Sequence, residues 1–163
     1  MKLDQLLIVL LIIISLGSRA QITDKHEEHD QHMHKNNEVG IANSLVYFIN
    51  GKEVAYGLHL HYIHYISHTK FGYGLGYERI FDEHGHNVFG VIGTYSPVNS
   101  LLLSISPGIT FEDGNSSEPG FALHFETTYE FEIGNFHIGP LVGIAYDPED
   151  YHLGVGLHFG YGF

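Results

Sequence analysis

The chain of 163 residues has no cysteine and no tryptophan, and only 7 Lys and Arg residues against 19 Asp and Glu. The absence of cysteine excludes a disulfide scaffold, a thiol nucleophile, a cysteine-based zinc site and an anchor built on a lipidated N-terminal cysteine. The formal charge of −12 excludes nucleic acid as a partner, because neutralising phosphates requires clustered Lys and Arg. What the chain has instead is 20 Gly, 11 Phe, 11 Tyr and 14 His. Its length allows one ordinary domain.

Residues 1–20 have the pattern of a cleaved secretory signal. Lys2 precedes an apolar block at residues 6–14, and Ser18-Arg19-Ala20 places small residues where signal peptidase reads them. The block is shorter than the roughly 20 apolar residues that a spanning helix needs. We therefore expect cleavage near Ala20, with an uncleaved anchor as the alternative.

Residues 21–37 form a polar segment with too few large apolar residues to order itself, so we expect a disordered tail. Within it lie His26, His29, His32 and His34. His-rich tracts are associated with metal binding, and a flexible segment lets several imidazoles converge on one ion. The alternative is a solvated spacer that is merely rich in histidine.

From residue 38 onward, apolar residues alternate with small or polar ones in eight short runs, and no stretch has the period of a helix. The runs are residues 38–49, 54–66, 71–81, 88–96, 101–111, 121–133, 136–146 and 151–163. Tight turns predict antiparallel neighbours; they are Asn50-Gly51, His68-Thr69, residues 97–100, Gly134-Asn135 and Pro148-Glu149. Eight such strands in chain order predict an all-β, up-and-down barrel, since closure removes exposed edges.

Volume and charge indicate which face of each strand lies inside. In the run 151–163, bulky apolar residues occupy one face and His and Gly the other. The interior of an eight-stranded barrel is only just wide enough for side chains to fill, so it has room for glycine and none for rows of aromatic rings. A water-facing surface would normally carry lysine, whereas the runs contain no lysine and one arginine, Arg79. The pattern therefore predicts a transmembrane barrel with an apolar exterior and a lumen of Gly, His and Glu.

The C-terminal sequence Leu157-His158-Phe159-Gly160-Tyr161-Gly162-Phe163, with the signal segment and the eight runs, resembles the small eight-stranded outer-membrane proteins of Gram-negative bacteria, of the OmpX and OmpA barrel type. Its terminal Phe163, preceded by hydrophobic residues at every second position, is similar to the signal read by the outer-membrane assembly machinery. The resemblance covers residues 38–163. It implies an outer-membrane location among lipid and lipopolysaccharide, a monomer, periplasmic termini and short periplasmic turns. The Asn50-Gly51 turn and residues 82–87, 112–120 and 147–150 would then lie outside.

Because the residues that flank a turn must pair, the turns also predict the hairpin register. His59 is expected opposite Ala42 and Glu78, and His61 between Gly40 and Gly76. A Gly134-Asn135 turn sets Glu132 opposite His137 and Glu126 beside Gly143. The fourth run stays ambiguous, because the turn at residues 97–100 allows either parity.

One hypothesis is a luminal site for a metal or protons, since imidazole and carboxylate suit zinc, copper or nickel. Its candidate residues are His59, His61, Glu78, Glu126 and His158. The stronger interpretation is a hydrogen-bonded polar network that plugs the lumen, because a buried charge must be paired. His84 and His86 in one loop form a second, weaker metal candidate.

Some eight-stranded outer-membrane barrels modify lipid A, and such chemistry needs a hydroxyl beside a histidine that an acid orients. Ile66 stands two residues after His64, the only lipid-facing histidine on a strand, and no serine accompanies His124. We therefore expect no enzymatic activity, although a triad could still be assembled from separate strands. The leading prediction is a barrel that binds or buffers divalent transition metal through its tail. The alternative is a structural or surface-interaction barrel for adhesion or envelope integrity.

Overall fold

The computed structural model describes residues 35–113, 115–148 and 150–163. The described residues form nine strands: β1 (Asn37–Phe48), β2 (Val54–Tyr65), β3 (Phe71–Phe81), β4 (Asn87–Val98), β5 (Leu101–Glu112), β6 (Asn115–Tyr129), β7 (Phe131–Ile133), β8 (Phe136–Tyr146) and β9 (Tyr151–Gly162). No helix long and apolar enough to cross a membrane occurs in this part of the chain. The predicted signal segment and the four tail histidines lie outside the described residues.

The nine strands close into the predicted barrel. From β1 to β6 each strand pairs antiparallel with the next one in the chain. β6 and β7 both pair with β8, β8 pairs with β9, and β9 pairs with β1. β6 and β7 are two parts of one barrel strand, interrupted at Glu130, whose backbone N–H donates to the Ser100 carbonyl at 2.8 Å. Eight antiparallel barrel strands in up-and-down order result.

The apolar faces of the strands lie outside the barrel and the small or polar faces lie inside, as side-chain volume and charge predict. Bulky apolar side chains lie exposed on the exterior, for example Leu45 at 64 % and Leu75 at 63 %. Small and polar residues face the lumen with a few buried apolar ones, such as Val46 and Ile80. A soluble monomer rarely exposes so continuous an apolar surface, whereas a transmembrane barrel presents it to lipid.

The predicted register is confirmed at each hairpin for which it was stated. Ala42 and Glu78 flank His59, Gly40 and Gly76 flank His61, and the pairs of Glu132 with His137 and of Glu126 with Gly143 are present. The ambiguous fourth run has an irregularity between Tyr95 and Val98, which shifts the pairing of β4 with β5 by one residue near the turn.

The first turn is wider than its sequence predicts. Phe48 N–H donates to the Glu53 carbonyl, and the left-handed residue is Lys52, with φ of 54°, rather than Gly51. The Asp150 carboxylate accepts hydrogen bonds from the backbone N–H groups of Asn50 and Gly51 at 2.9 Å, which holds the wider turn. The register survives because the turn gains one residue on each side.

A second difference concerns residues 112–120, predicted to be a loop. β5 continues to Glu112 and β6 begins at Asn115, with Glu112 paired to Asn115 across an irregularity after Thr110. The pairing of β5 with β6 therefore continues beyond the apolar part of both strands. Apolar residues no longer alternate there, so the sequence pattern does not predict this part of the hairpin.

Candidate functional site

The lumen contains carboxylates without lysine or arginine. Glu38, Glu78 and Glu130 are buried and Glu126 is nearly so, whereas every Lys and Arg among the described residues is at least partly exposed. A buried carboxylate needs a positive partner. Six histidines share this space and are the available partners: His59, His61, His124, His137, His152 and His158.

Three imidazoles converge on one carboxylate oxygen at the end of the lumen where β1 begins and β9 ends. The Oε1 atom of Glu38 lies 3.2 Å from Nε2 of His61, 3.3 Å from Nε2 of His137 and 3.7 Å from Nε2 of His158. The Nε2 atoms of His61 and His158 are themselves 3.2 Å apart. We call Glu38, His61, His137 and His158 the Glu38 quartet; they come from β1, β2, β8 and β9, which are adjacent in the barrel.

Glycines on neighbouring strands make room for these rings. A Cβ atom added to Gly40 would overlap the ring of His61, and one added to Gly160 would overlap the ring of His137. Such glycines have a packing role here, because an eight-stranded lumen has no spare width. The glycine-rich inner faces therefore hold the imidazoles against Glu38.

Two further groups, Tyr65 and Glu130, lie beside the quartet. The Tyr65 hydroxyl donates to Oε2 of Glu38 at 2.6 Å, which leaves Oε1 facing the histidines. Oε1 of Glu130 lies 3.9 Å from Nδ1 of His158 and 3.7 Å from Nε2 of His137. Both distances from Glu130 exceed that of a hydrogen bond, so Glu130 adds negative charge beside these two rings.

A second set of ionisable groups lies deeper in the lumen, and we call it the Glu78 group: His59, Glu78, His124, Glu126 and His152. Oε2 of Glu78 lies 3.0 Å from Nδ1 of His124, and Oε1 of Glu126 lies 3.7 Å from Nδ1 of His59. The rings of His59 and His61 are 5.3 Å apart, so the Glu78 group and the quartet are neighbours.

The residues proposed from sequence as one luminal site are thus divided between these two groups. His61 and His158 belong to the quartet, while His59, Glu78 and Glu126 belong to the Glu78 group. Sequence reasoning did not place Glu38, His124, His137 or His152 in a site. His137 had a signal, because the turn placed it on the luminal face opposite Glu132.

The loop histidines are not brought together as a pair of ligands. His86 is buried, and its Nδ1 atom lies 2.7 Å from Oδ2 of Asp82. The rings of His84 and His86 meet edge-on at 6.3 Å. Burial alone would raise the pKa of Asp82, but the His86 ring and the backbone N–H groups of His86 and Gly85 outweigh it and hold the pKa below its usual range. This carboxylate therefore serves to fix the loop.

Comparison with known proteins identifies solved structures of similar fold. No protein-family model matches the chain, and no curated protein sequence matches it. Among solved structures, Neisserial surface protein A (NspA) is 13% identical with a TM-score of 0.56, over 78% of this chain and 96% of that one. A de novo designed transmembrane β-barrel is 12% identical with a TM-score of 0.51, over 76% and 93% of the two chains.

Ail, the attachment invasion locus protein of Yersinia pestis, crystallised with the heparin analogue sucrose octasulfate, is similar at the same level. It is 16% identical with a TM-score of 0.50, over 77% of this chain and 95% of that one. Likeness at such identities concerns the backbone path and the closure of the barrel. This chain has the fold of the small eight-stranded outer-membrane β-barrels.

Proposed function

We propose that this protein is a non-enzymatic outer-membrane barrel that binds a divalent transition-metal ion, zinc in the first place, at the Glu38 quartet. The observation that carries the proposal is the convergence of three Nε2 atoms on Oε1 of Glu38, at 3.2, 3.3 and 3.7 Å. Ligands about 2.0–2.1 Å from a tetrahedral zinc ion lie about 3.3 Å from one another. The distances from Oε1 of Glu38 to His61 and His137, and the one between His61 and His158, are near that value. The ligand atoms of Glu38, His137 and His158 all lie within 4.8 Å of one another.

One ion satisfies these atoms more simply than a network of protons does. As a hydrogen-bonded network, Oε1 of Glu38 would have to accept from three imidazoles, while a further proton lay between the 3.2 Å pair of His61 and His158. A divalent ion would engage the four atoms through their lone pairs. It would also neutralise Glu38 together with the adjacent Glu130, so that the buried charges balance.

The chemistry of the quartet favours storage or structural binding over catalysis. Four protein ligands fill a tetrahedral zinc ion, whereas catalytic zinc keeps one position open for water. The quartet is also enclosed: the side chains of Glu38 and His158 are 3% and 2% exposed. This supports the absence of an enzymatic role.

The N-terminal tail has a separate place in the proposal. Its histidines, His26, His29, His32 and His34, precede Glu38 closely in the chain and form a second candidate for metal binding. Gathering imidazoles from a short polar tract around one ion costs conformational entropy, so we expect the tail to bind more weakly than the enclosed quartet.

Zinc titration of the refolded full chain tests the proposal. We expect His158→Gln to lower the affinity of one binding equivalent by more than about 100-fold, because even the loss of an outer partner of a metal ligand costs roughly 10- to 100-fold. A variant with Gln at the four tail histidines should retain that equivalent. Isothermal titration calorimetry with metal analysis measures both.

His64→Gln is the matched control, since His64 lies on a strand outside the lumen and should leave zinc binding unchanged. The faster migration of unboiled samples on gels checks that each variant is folded. If the tail variant loses all zinc binding and His158→Gln loses none, the tail is the metal site and the quartet is not.

A second candidate function is surface interaction, favoured by an open pocket of about 290 Å³ at the loop end of the barrel. Asp82, Glu83, Glu112 and Asp113 line it beside Arg79. An acidic pocket of this kind suits a cationic group on an envelope or host partner. This candidate becomes the leading one if the quartet does not bind zinc.

A further inference from the structure

Tyr65, the last residue of β2, brings a buried hydroxyl group to Glu38. This hydroxyl donates a hydrogen bond to Oε2 of Glu38 at 2.6 Å. The three histidines of the quartet approach the other oxygen, Oε1. The two oxygens of one carboxylate therefore have different partners, a phenol at Oε2 and imidazoles at Oε1.

Packing and strand pairing fix the position of the Tyr65 hydroxyl. The side chain lies in a buried apolar cluster with Ile63 and Leu102. Gly72 is opposite Tyr65 on β3, and a Cβ atom on this glycine would stand 3.1 Å from Cδ1 of the tyrosine ring. The backbone N–H of Tyr65 donates to the Asn36 carbonyl at 2.9 Å, just before the start of β1. The ring and the quartet carboxylate are thus held by the same pairing of β1 with β2.

A hydrogen bond to Oε2 limits how Glu38 can bind an ion. A carboxylate can offer one oxygen or both oxygens to a metal, and the phenol competes with the ion for Oε2. With Oε1 alone, Glu38 and the three histidines supply four ligands, the number that tetrahedral zinc takes. With both oxygens, the same side chains would supply five ligands, including one more of the hard oxygen donors that suit Mn²⁺.

We infer that Tyr65 is a specificity-determining residue of the quartet, whose hydroxyl holds Glu38 to one coordinating oxygen and thereby favours Zn²⁺ over Mn²⁺. The inference rests on the proposed function, because it concerns the metal that the quartet binds. Tyr65 acts through Glu38 and is a positioning residue. Its loss should therefore change the coordination of the ion as well as the affinity.

Two Tyr→Phe variants on the same strand test the inference. The parent protein is the full chain with Gln at the four tail histidines, so that tail binding does not contribute. Tyr65→Phe removes the hydroxyl and keeps the buried ring. Tyr62→Phe is the matched control, because the Tyr62 hydroxyl donates to Oδ1 of Asn37 at 2.7 Å on the outer face of the barrel. Each substitution removes one tyrosine hydrogen bond from β2 to β1, at adjacent residues of β1.

Isothermal titration calorimetry with Zn²⁺ and with Mn²⁺ measures the selectivity. Tyr65→Phe should lower the affinity for Zn²⁺ by roughly 10- to 100-fold, as the loss of an outer partner of a metal ligand does. The affinity for Mn²⁺ should not fall, so the ratio of the two affinities should drop by at least about 10-fold. Tyr62→Phe should match the parent for both ions.

The visible absorption of bound Co²⁺ reports the coordination directly, since tetrahedral Co²⁺ absorbs more strongly than Co²⁺ with five or six ligands. We expect strong absorption from the parent and from Tyr62→Phe. Tyr65→Phe should absorb more weakly, because Glu38 is then free to add its second oxygen. A purely structural role of Tyr65 would not change this spectrum in the protein that still binds the ion.

The inference is overturned if Tyr65→Phe behaves like Tyr62→Phe, or if it loses affinity for both ions equally with an unchanged Co²⁺ spectrum. It is also overturned if Co²⁺ in the parent lacks the strong tetrahedral absorption, a measurement that does not depend on the folding of any Tyr65 variant. In each of these cases the proposed function stands as long as the parent binds zinc at the quartet. A parent that binds no zinc rejects the proposed function and the inference together.

Discussion

At the scale of single residues, glycine and histidine on the luminal faces act as complementary pairs. Gly40 lies beside the ring of His61, Gly160 beside that of His137, and a Cβ atom on Gly76 would stand 2.7 Å from Nε2 of His59. Each imidazole occupies the volume that a glycine leaves on a neighbouring strand. The high glycine content of the chain is therefore tied to its high histidine content.

Gly160→Ala should displace the ring of His137 and weaken zinc binding at the quartet by about 10-fold or more, because the added methyl group overlaps the ring. The strain of overpacking should lower the free energy of unfolding by about 1–3 kcal/mol. Gly154→Ala on the same strand is the control, since the nearest atom to its new Cβ is 4.0 Å away, in Ser44. Zinc titration and urea unfolding of the two variants measure the contrast, and equal effects would contradict this account.

At the scale of strands and turns, the connections at the loop end are fixed by carboxylates. Asp150 joins the turn after β1 to the start of β9 through the backbone N–H groups of Asn50, Gly51 and Tyr151. Asp113 pairs with Arg79, and the hydrogen bonds from Arg79 hold the pKa of Asp113 at about 2. Much of the negative charge at this end is engaged within the protein.

Asp150→Asn should lower the free energy of unfolding by about 1–3 kcal/mol at pH 7, because hydrogen bonds to a charged acceptor are replaced by weaker ones. Burial alone would raise the pKa of Asp150, but the N–H groups of Gly51, Asn50 and Tyr151 outweigh it and lower the pKa below its usual range. The stabilisation is then complete above the unfolded pKa, near 4, and is lost as the pH falls further.

Urea unfolding of wild type and Asp150→Asn between pH 8 and pH 3 measures this effect. The difference between the two proteins should stay constant down to about pH 5 and shrink below about pH 4. A difference that grows on acidification would show that the Asp150 carboxylate is not stabilised in the folded barrel.

The local turns also explain how much of the site the sequence predicts. The turn after residue 66 places His59 opposite Glu78, and the Gly134-Asn135 turn places His137 on the inner face. Because successive side chains alternate between the two faces of a strand, these turns determine which side chains point into the lumen. No turn connects β1 to β9, whose pairing sets Ala42 against His158. The meeting of Glu38 with His158 depends on barrel closure, which short-range patterns do not contain.

At the scale of the whole molecule, the exterior is an apolar surface and the lumen is a polar core. Leu75 near the middle of β3 and Val54 at the start of β2 are 63% and 62% exposed, yet they differ in their position along the barrel. In a bilayer the cost of a charge depends on depth. Charged substitutions at different depths on the outer surface therefore test the membrane location directly.

Leu75→Arg should lower the free energy of unfolding in lipid vesicles by about 2–4 kcal/mol, as expected for arginine near the midplane. Val54→Arg, at a strand end, should cost no more than about 1 kcal/mol. Urea titration of the refolded barrels, followed by tyrosine fluorescence, compares them. Equal and small costs for the two variants would contradict a membrane-spanning exterior.

The order of strands around the barrel has a consequence in time. Glu38 and His61 lie in the first hairpin, whereas His137 and His158 lie in the last one, and the two hairpins meet only where β1 pairs with β9. That seam joins the two ends of the barrel, with the N–H of Asn37 bonded to the Phe163 carbonyl. The four side chains of the quartet therefore come together only once the seam between β1 and β9 has formed. If the quartet holds zinc as proposed, the ion links the first and last hairpins across this seam.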